Sequence, residues 1–246
     1  MRYALISDIH ANLPALRSVL DDITTRNVDA TYHLGDLTGY APWPNETVAL
    51  LRQRGIQGIA GNYDSTIATG YKHCGCKSEN PHQEELSHQS YSWTRSHVSD
   101  ETKRYLASLP FRMDIRPLGG HASGPTLTLV HGSQVLNTVY VTADRPDSFL
   151  EKMAEDVGAT AASVICFGHT HIPWHRVVGG IHFVNTGSVG RPKDGDWRAG
   201  YALLSLDGSH TDVEFVRVSY DLDEAASGIR ASDLPEELAR QLQGAP

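Results

Sequence analysis

No apolar run in this 246-residue sequence approaches the ~20 residues of a membrane-spanning helix, so no membrane partner is expected. Cysteine is scarce: three residues, an odd number, do not make a disulfide framework, and a reducing cytoplasm is the expected compartment. Positive charge is also short. Twenty-one Lys and Arg stand against 29 Asp and Glu, a net charge of −8, which argues against a broad surface for a nucleic-acid polymer or an anionic bilayer. A small phosphorylated substrate is still compatible with that balance if a bound metal supplies the positive charge. The opening stretch MRYALISDIH is too short in apolar residues for a signal peptide and runs directly into a strand pattern. Repeats, low-complexity tracts and linkers are missing as well, so one domain over residues 1–246 is expected. Histidine, by contrast, is abundant, with 13 residues, several beside Gly or Asp at the ends of apolar runs.

The chain alternates short apolar runs with amphipathic helical stretches. RYALISD reads as a strand buried on both faces. It leads into NLPALRSVLDDI, where Leu13, Leu16, Val19, Leu20 and Ile23 share a helical face behind an Asn12 cap and Pro14 in the first turn. DATYHLGD, PNETVALLRQRG and IQGIAGN continue as strand, helix and strand, an order that implies parallel pairing through right-handed crossovers. Residues from about 71 to 109 are polar and read as a helical insertion anchored by Leu86, Tyr91, Trp93, Tyr105 and Leu106. TLTLVHG, DSFLEKMAEDVG and SVICFGH follow as strand, helix and strand. Beyond them, WHRVVGGIHFVN and YALLSLDGSHTDVEF, with Gly-Gly and Asp-Gly turns, predict antiparallel hairpins. Asp233 with Glu236 reads as a capping box for a last helix. Parallel units followed by hairpins suggest two sheets packed face to face with helices outside.

The ends of these strands carry the chemistry. In order they read Asp8-Ile9-His10, Gly35-Asp36, Gly61-Asn62-Tyr63-Asp64, His131-Gly132 and Gly168-His169-Thr170-His171. A lone Asp-x-His is usually solvated surface. A metal-ligand type at every predicted carboxyl end, where loops of an α/β sheet converge, points to one site. Reading residues 169–171 as extended puts His169 and His171 on one side with Thr170 pointing away.

This series resembles the calcineurin-like metallophosphoesterase superfamily, whose motifs run D-x-H, G-D, G-N-H-D, H-G and G-H-T-H. The run NTGSVGRPKDGD, Asn185 to Asp196, extends the likeness to a small prokaryotic phosphodiesterase-like branch. The resemblance implies an α+β fold, a four-layer α/β/β/α sandwich of two mixed sheets. It assigns Asp8, His10, Asp36 and His171 to one metal and Asp36, Asn62, His131 and His169 to a second, with Asp36 bridging. Two such ions share a hydroxide for in-line attack and neutralise phosphoryl charge. Nitrogen and oxygen donors together suit two divalent transition-metal ions (Mn, Fe, Zn, Co or Ni) better than Mg or Ca. No cysteine belongs to the set, which weakens a structural-zinc reading.

One position departs from the motif. Tyr63 stands where most of the superfamily has a histidine assigned to protonate the leaving group, and Asp64 is the residue that would orient it. A phenol of pKa about 10 is the poorer acid at neutral pH, and the alternative is that Tyr63 only packs or hydrogen-bonds. Arg191 and Lys193, in the Gly-rich run, are candidates for phosphate oxygens or a distal substrate group, against an exposed turn with surface charges. His73-Cys74-Gly75-Cys76-Lys77 with His82 reads as a substrate-facing loop, with a third metal or a redox pair as alternatives. Cys166 reads as core, and His88 and His97 as solvated. The expected function is dinuclear-metal-dependent hydrolysis of a small phosphorylated substrate, a phosphodiester first. A phosphomonoester, a dinucleoside polyphosphate and a phosphoprotein follow, and a weakly catalytic binding scaffold, supported by Tyr63 alone, comes last.

Overall fold

A computed structural model describes residues 1–76, 80–116, 125–207 and 210–244. The strands are β1 (Arg2–Ile6), β2 (Ala30–His33), β3 (Gln57–Gly58), β4 (Arg112–Ile115), β5 (Leu127–Val130), β6 (Val164–Phe167), β7 (Trp174–Val178), β8 (Ile181–Asn185), β9 (Ala199–Asp207) and β10 (His210–Val218). The helices are α1 (Leu13–Thr24), α2 (Pro44–Gln53), α3 (Asn62–Thr69), α4 (Pro81–His97), α5 (Asp100–Ser108), α6 (Asp147–Val157), α7 (Leu222–Arg230) and α8 (Glu236–Leu242). Among the described residues the strands form two five-stranded mixed sheets, in the orders β10-β9-β1-β2-β3 and β4-β5-β6-β8-β7.

Side-chain alternation explains the layers. On β1, Tyr3 and Leu5 enter an inter-sheet core with Leu129, Val164, Cys166, Val184 and Leu204. Ala4 and Ile6 face the other way, into a core shared with Leu16, Val19, Leu51, Ala226 and Leu238 from the helices. On β6, Val164 and Cys166 point to the inter-sheet core, while Ile165 and Phe167 pack with Leu150 and Met153 of α6. Each central strand is therefore apolar on both faces, which is why RYALI and SVICF read as unbroken apolar runs. The result is the α+β four-layer sandwich expected from the resemblance.

The parallel pairs β1–β2, β2–β3 and β5–β6 and the hairpins β7–β8 and β9–β10 follow the sequence reading, and β8 also pairs in parallel with β6. Within 71–109 lie α4 and α5, with Leu86, Tyr91 and Leu106 buried and Trp93 and Tyr105 packed partly against the same core. Three details differ. IQGIAGN yields only the two-residue β3, because the chain must turn at Gly61 to begin α3. α3, β4 and α7 were not expected. The Asp233–Glu236 capping box does not form: Pro235 is the N-cap of α8, and α8 has no side-chain cap.

Candidate metal centre

Five of the proposed ligands sit in a backbone conformation that L-residues rarely adopt. Asp8 (φ 50°), His10 (φ 49°), Asp36 (φ 53°), His169 (φ 65°) and His171 (φ 62°) are all left-handed. Residues 169–171 are thus not extended, which corrects the sequence reading: each histidine is turned individually toward the centre. Such conformations cost on the order of 1 kcal/mol apiece and gather where surrounding structure enforces them for function. Here the enforcement is a mesh of backbone bonds between loops. The amide of Asp8 donates to Gly35 O (3.0 Å), His10 N to Asp36 O (2.9 Å), Gly168 N to His131 O (2.9 Å) and Gly190 N to Asp8 O (3.0 Å). Two glycines are needed for close approach. A Cβ on Gly61 would lie 2.1 Å from Asp36 Oδ1, and one on Gly168 would lie 2.4 Å from Asp8 Oδ2.

The loops bring two groups of donors together, Asp8 with His10 and His171, and Asp36 with His131 and His169. Asp8 Oδ1 stands 3.2 Å from His171 Nε2 and 3.9 Å from His10 Nε2. Asp36 Oδ2 faces both groups, 3.8 Å from His10 Nε2 and 3.4 Å from His131 Nε2. Asn62, the first residue of α3, places Oδ1 3.1 Å from His131 Nε2. All seven side chains are buried, none more than 4% exposed.

Each carboxylate is anchored by one oxygen and presents the other. Asp8 Oδ2 accepts from Ser7 Oγ (2.7 Å) and His169 N (2.9 Å); Asp36 Oδ1 accepts from Tyr63 N (2.9 Å). Three histidines are oriented from behind, with Nδ1 of His10 on Thr38 O (3.0 Å), of His131 on Leu34 O (2.7 Å) and of His171 on Arg191 O (2.6 Å). That contact fixes the tautomer and leaves Nε2 as a lone-pair donor directed at the centre. Asp8 Oδ1 and His169 Nε2 are buried with no hydrogen-bond partner among the described residues. Orphaned anionic and imidazole donors beside each other are costly unless a cation is bound, so these residues fit a pair of divalent ions.

The proton affinities of Asp8, His10 and His169 agree with that fit. Burial, then the neighbouring His171, push His10 down to about 3 against the pull of Asp36 and Asp8. Burial and His131 push His169 to about 3, so both imidazoles stay neutral and ligand-ready. Burial works to raise Asp8, but His171, His131 and His10 outweigh it and hold the carboxylate ionised. His131 runs opposite: burial lowers it, yet Asp36 and Asp8 carry it up to about 10.

The structure places the other candidates less uniformly. The Tyr63 side chain is buried, its hydroxyl 3.3 Å from Ser87 Oγ, and burial holds the phenol well above its ordinary pKa. Asp64 spends both oxygens on backbone, accepting from Leu37 N and Gly61 N (both 2.9 Å), and burial followed by Asp36 raises it to about 7. Arg191 stacks over Tyr40 at 4.1 Å and donates to Gln241 of α8. Lys193 reaches solvent, so its lowering to about 8, by desolvation and then Arg191, is tempered by water; Asp8 and Asp36 pull it the other way. Both cations line a cleft of about 440 Å³ with Trp197, Gln83 and Gln241.

Tyr40 and Tyr140 escaped the sequence reading. Tyr40 stands edge-on to His10 with ring centroids 4.8 Å apart, and Tyr140 lies 4.3 Å from His169. Neither sits in a motif that would have singled it out. Cys166 is buried in the inter-sheet core, whereas His88 and His97 are exposed. His82 is on the surface with Nε2 2.7 Å from Glu237. Cys74 and Cys76 are joined as a disulfide, a three-residue loop rather than a framework. Lys77 lies outside the described residues.

Comparison with known proteins agrees with this geometry. A family model described as the calcineurin-like phosphoesterase superfamily domain matches residues 1–209. The uncharacterized protein MJ0912 of Methanocaldococcus jannaschii is 30% identical, over 97% of this chain and 96% of that protein. A metallophosphoesterase from Sphaerobacter thermophilus superposes with a TM-score of 0.73 at 30% identity, covering 99% of both chains. The hypothetical protein PH1004 from Pyrococcus horikoshii, at 23% identity, shares the fold with a TM-score of 0.80 over 98% of this chain and 97% of its own.

Proposed function

The chain belongs to the calcineurin-like phosphoesterase superfamily, and from that premise we propose that it hydrolyses a small phosphodiester with two divalent transition-metal ions. The observation that carries this reading is Asp36, whose free Oδ2 faces His10 of one donor group and His131 of the other. Asp8, His10, Asp36 and His171 would hold one ion, and Asp36, Asn62, His131 and His169 the second. Mn, Fe, Zn, Co and Ni all suit this mixed donor set. When bound, such a pair neutralises phosphoryl charge and lowers the pKa of an attacking water.

The chain's own residues supply position. Asp8 and Asp36 contribute the negative charge that retains the cations, and the carbonyls of Thr38, Leu34 and Arg191 hold the imidazoles in register. Arg191 and Lys193 sit beside His171, where they can hold phosphate oxygens. The cleft that they line offers room for a second organic substituent, and Trp197, 38% exposed, offers it a flat face. This room supports a diester over a monoester. Tyr63 and Asp64 serve as positioning residues in this reading, Tyr63 through its N–H on Asp36 and Asp64 by clamping the start of α3.

The test is a panel of bis(p-nitrophenyl) phosphate, p-nitrophenyl phosphate, a dinucleoside polyphosphate and a phosphopeptide, assayed with each candidate ion. The diester should lead in kcat/KM by at least about tenfold, or about 1.4 kcal/mol in transition-state binding. A preference for any of the other three would replace the diester assignment, and no turnover with any ion would remove the hydrolase reading.

A further inference from the structure

Asn62 has two ends, and only one faces the metal centre. Its Oδ1 points to His131, while its Nδ2 donates to Cys74 O (3.1 Å) and to Cys76 Sγ (3.2 Å). The Cys74–Cys76 loop is therefore what fixes the orientation of this amide, since Oδ1 and Nδ2 would otherwise exchange by a simple flip. Gly75 takes φ 74° between the two cysteines, and their Cα atoms lie 5.3 Å apart, within the range that a disulfide spans. Reduced and oxidised states are thus both compatible with the same turn.

The two sulfurs are not equivalent. Cys76 is half-buried and reachable, whereas Cys74 is 1% exposed. Cys74 Sγ accepts from Cys76 N (3.2 Å) and lies 3.6 Å from Ser87 Oγ. A thiolate attacking Cys76 would expel Cys74 as the leaving group, and two hydrogen-bond donors already surround that sulfur to receive the charge. Ser87 Oγ also meets the hydroxyls of Tyr40 (3.0 Å) and Tyr63 (3.3 Å), whose rings stand edge-on to His10. The cysteine pair touches one donor group through Asn62 and reaches the other through Ser87 and these tyrosines.

We propose that Cys74 and Cys76 are a thiol–disulfide exchange site that takes a dithiol as its reductant and sets how firmly Asn62 presents Oδ1 to the second ion. In the exchange the reductant's thiolate forms a bond to Cys76 sulfur, and the Cys74–Cys76 bond breaks. The reductant's second thiol then displaces Cys76 and closes its own disulfide. Two electrons and two protons end on the protein sulfurs. Opening the loop releases the backbone on which Cys74 O and Cys76 Sγ are mounted, so reduction weakens binding at the Asp36, Asn62, His131 and His169 group. The inference rests on the metal reading of that group.

The experiment uses full-length wild type and Cys74→Ser/Cys76→Ser, each treated with dithiothreitol or diamide and then freed of reagent by anaerobic gel filtration. Thiols are counted in denaturant, and the affinity of each ion is measured by titration against a chromophoric chelator. The wild type should show three thiols when reduced and one, Cys166, when oxidised, with the second ion held about tenfold more weakly after reduction. The double-serine variant should bind that ion equally after either treatment. A thiol count that neither reagent changes, or equal second-ion affinity in both wild-type states, would overturn the proposal without touching the metal reading. Failure of both states to take up a second ion would instead remove the metal reading, and this inference with it. Because the wild-type comparison needs no substitution, misfolding of the variant leaves the outcome readable.

Discussion

Asp36 shows how the centre works at the scale of one side chain. The amide of Tyr63 secures Oδ1, and Oδ2 is left to face both donor groups. Tyr63 contributes its backbone and its ring, and its buried hydroxyl belongs to Ser87. With no imidazole at that position, the leaving oxygen of the proposed hydrolysis would depart with less proton assistance. The log of kcat should therefore fall steeply as leaving-group pKa rises, and Tyr63→His should flatten the line. The gain would be greatest on alkyl esters, up to about 10²–10⁴-fold. A shallow wild-type line that Tyr63→Phe leaves unchanged would contradict this. Arg191 is predicted to act on substrate alone. Arg191→Ala removes a charge-assisted contact of about 1.5–3 kcal/mol, so kcat/KM should drop about 10–150-fold with metal content unchanged. Kinetics equal to wild type would leave Arg191 as a partner of Tyr40 and Gln241 only.

At the scale of elements, strand ends were legible because apolar runs stop abruptly at Gly, Asp and His, and those stops carry the candidate ligands. What was not legible is local geometry. The left-handed turns at His169 and His171 arise from bonds to distant loops, such as Asp8 Oδ2 on His169 N, which no window of sequence contains. β4 was likewise invisible, since RMDI is short and half-buried, whereas α7 carried a signal that the sequence reading missed: Asp221 caps it by accepting from Glu224 N, and Ala225, Ala226 and Ile229 share its buried face. His33, at the end of β2, illustrates the same limit. It reads as a polar strand residue, yet it is fully buried with neither ring nitrogen hydrogen-bonded among the described residues, and burial pushes it down to about 3. The folded pKa lies below the ordinary 6.5, so its contribution is intact above that pH and is lost as pH falls toward 3. Between pH 7 and 5, urea unfolding of His33→Leu should therefore lose stability more slowly than wild type, by up to about 1.4 kcal/mol per pH unit below 6.5. Parallel profiles for the two proteins would show that His33 does not titrate as described.

Across the whole molecule, the centre lies where the two sheets meet. Asp8, His10, Asp36 and Asn62 follow strands of the first sheet, and His131, His169 and His171 follow strands of the second. Bound ions would therefore tie the halves of the sandwich together. Saturation at about 100 times Kd adds about 2.7 kcal/mol, so chelation should lower Tm by roughly 5–10 °C. An unchanged Tm on chelation would mean that the sheets do not depend on bound metal. The central claim is that one carboxylate joins two ions. Metal content and diester hydrolysis measured together on wild type, His10→Ala and Asp36→Asn test it most directly. Asn keeps an oxygen for Tyr63 N but loses the charge shared by both groups. The account predicts two ions per wild-type chain and a milder loss in His10→Ala. For Asp36→Asn it predicts a folded protein with fewer than two ions and hydrolysis reduced more than about 100-fold. Two tightly bound ions and normal hydrolysis in Asp36→Asn would contradict it.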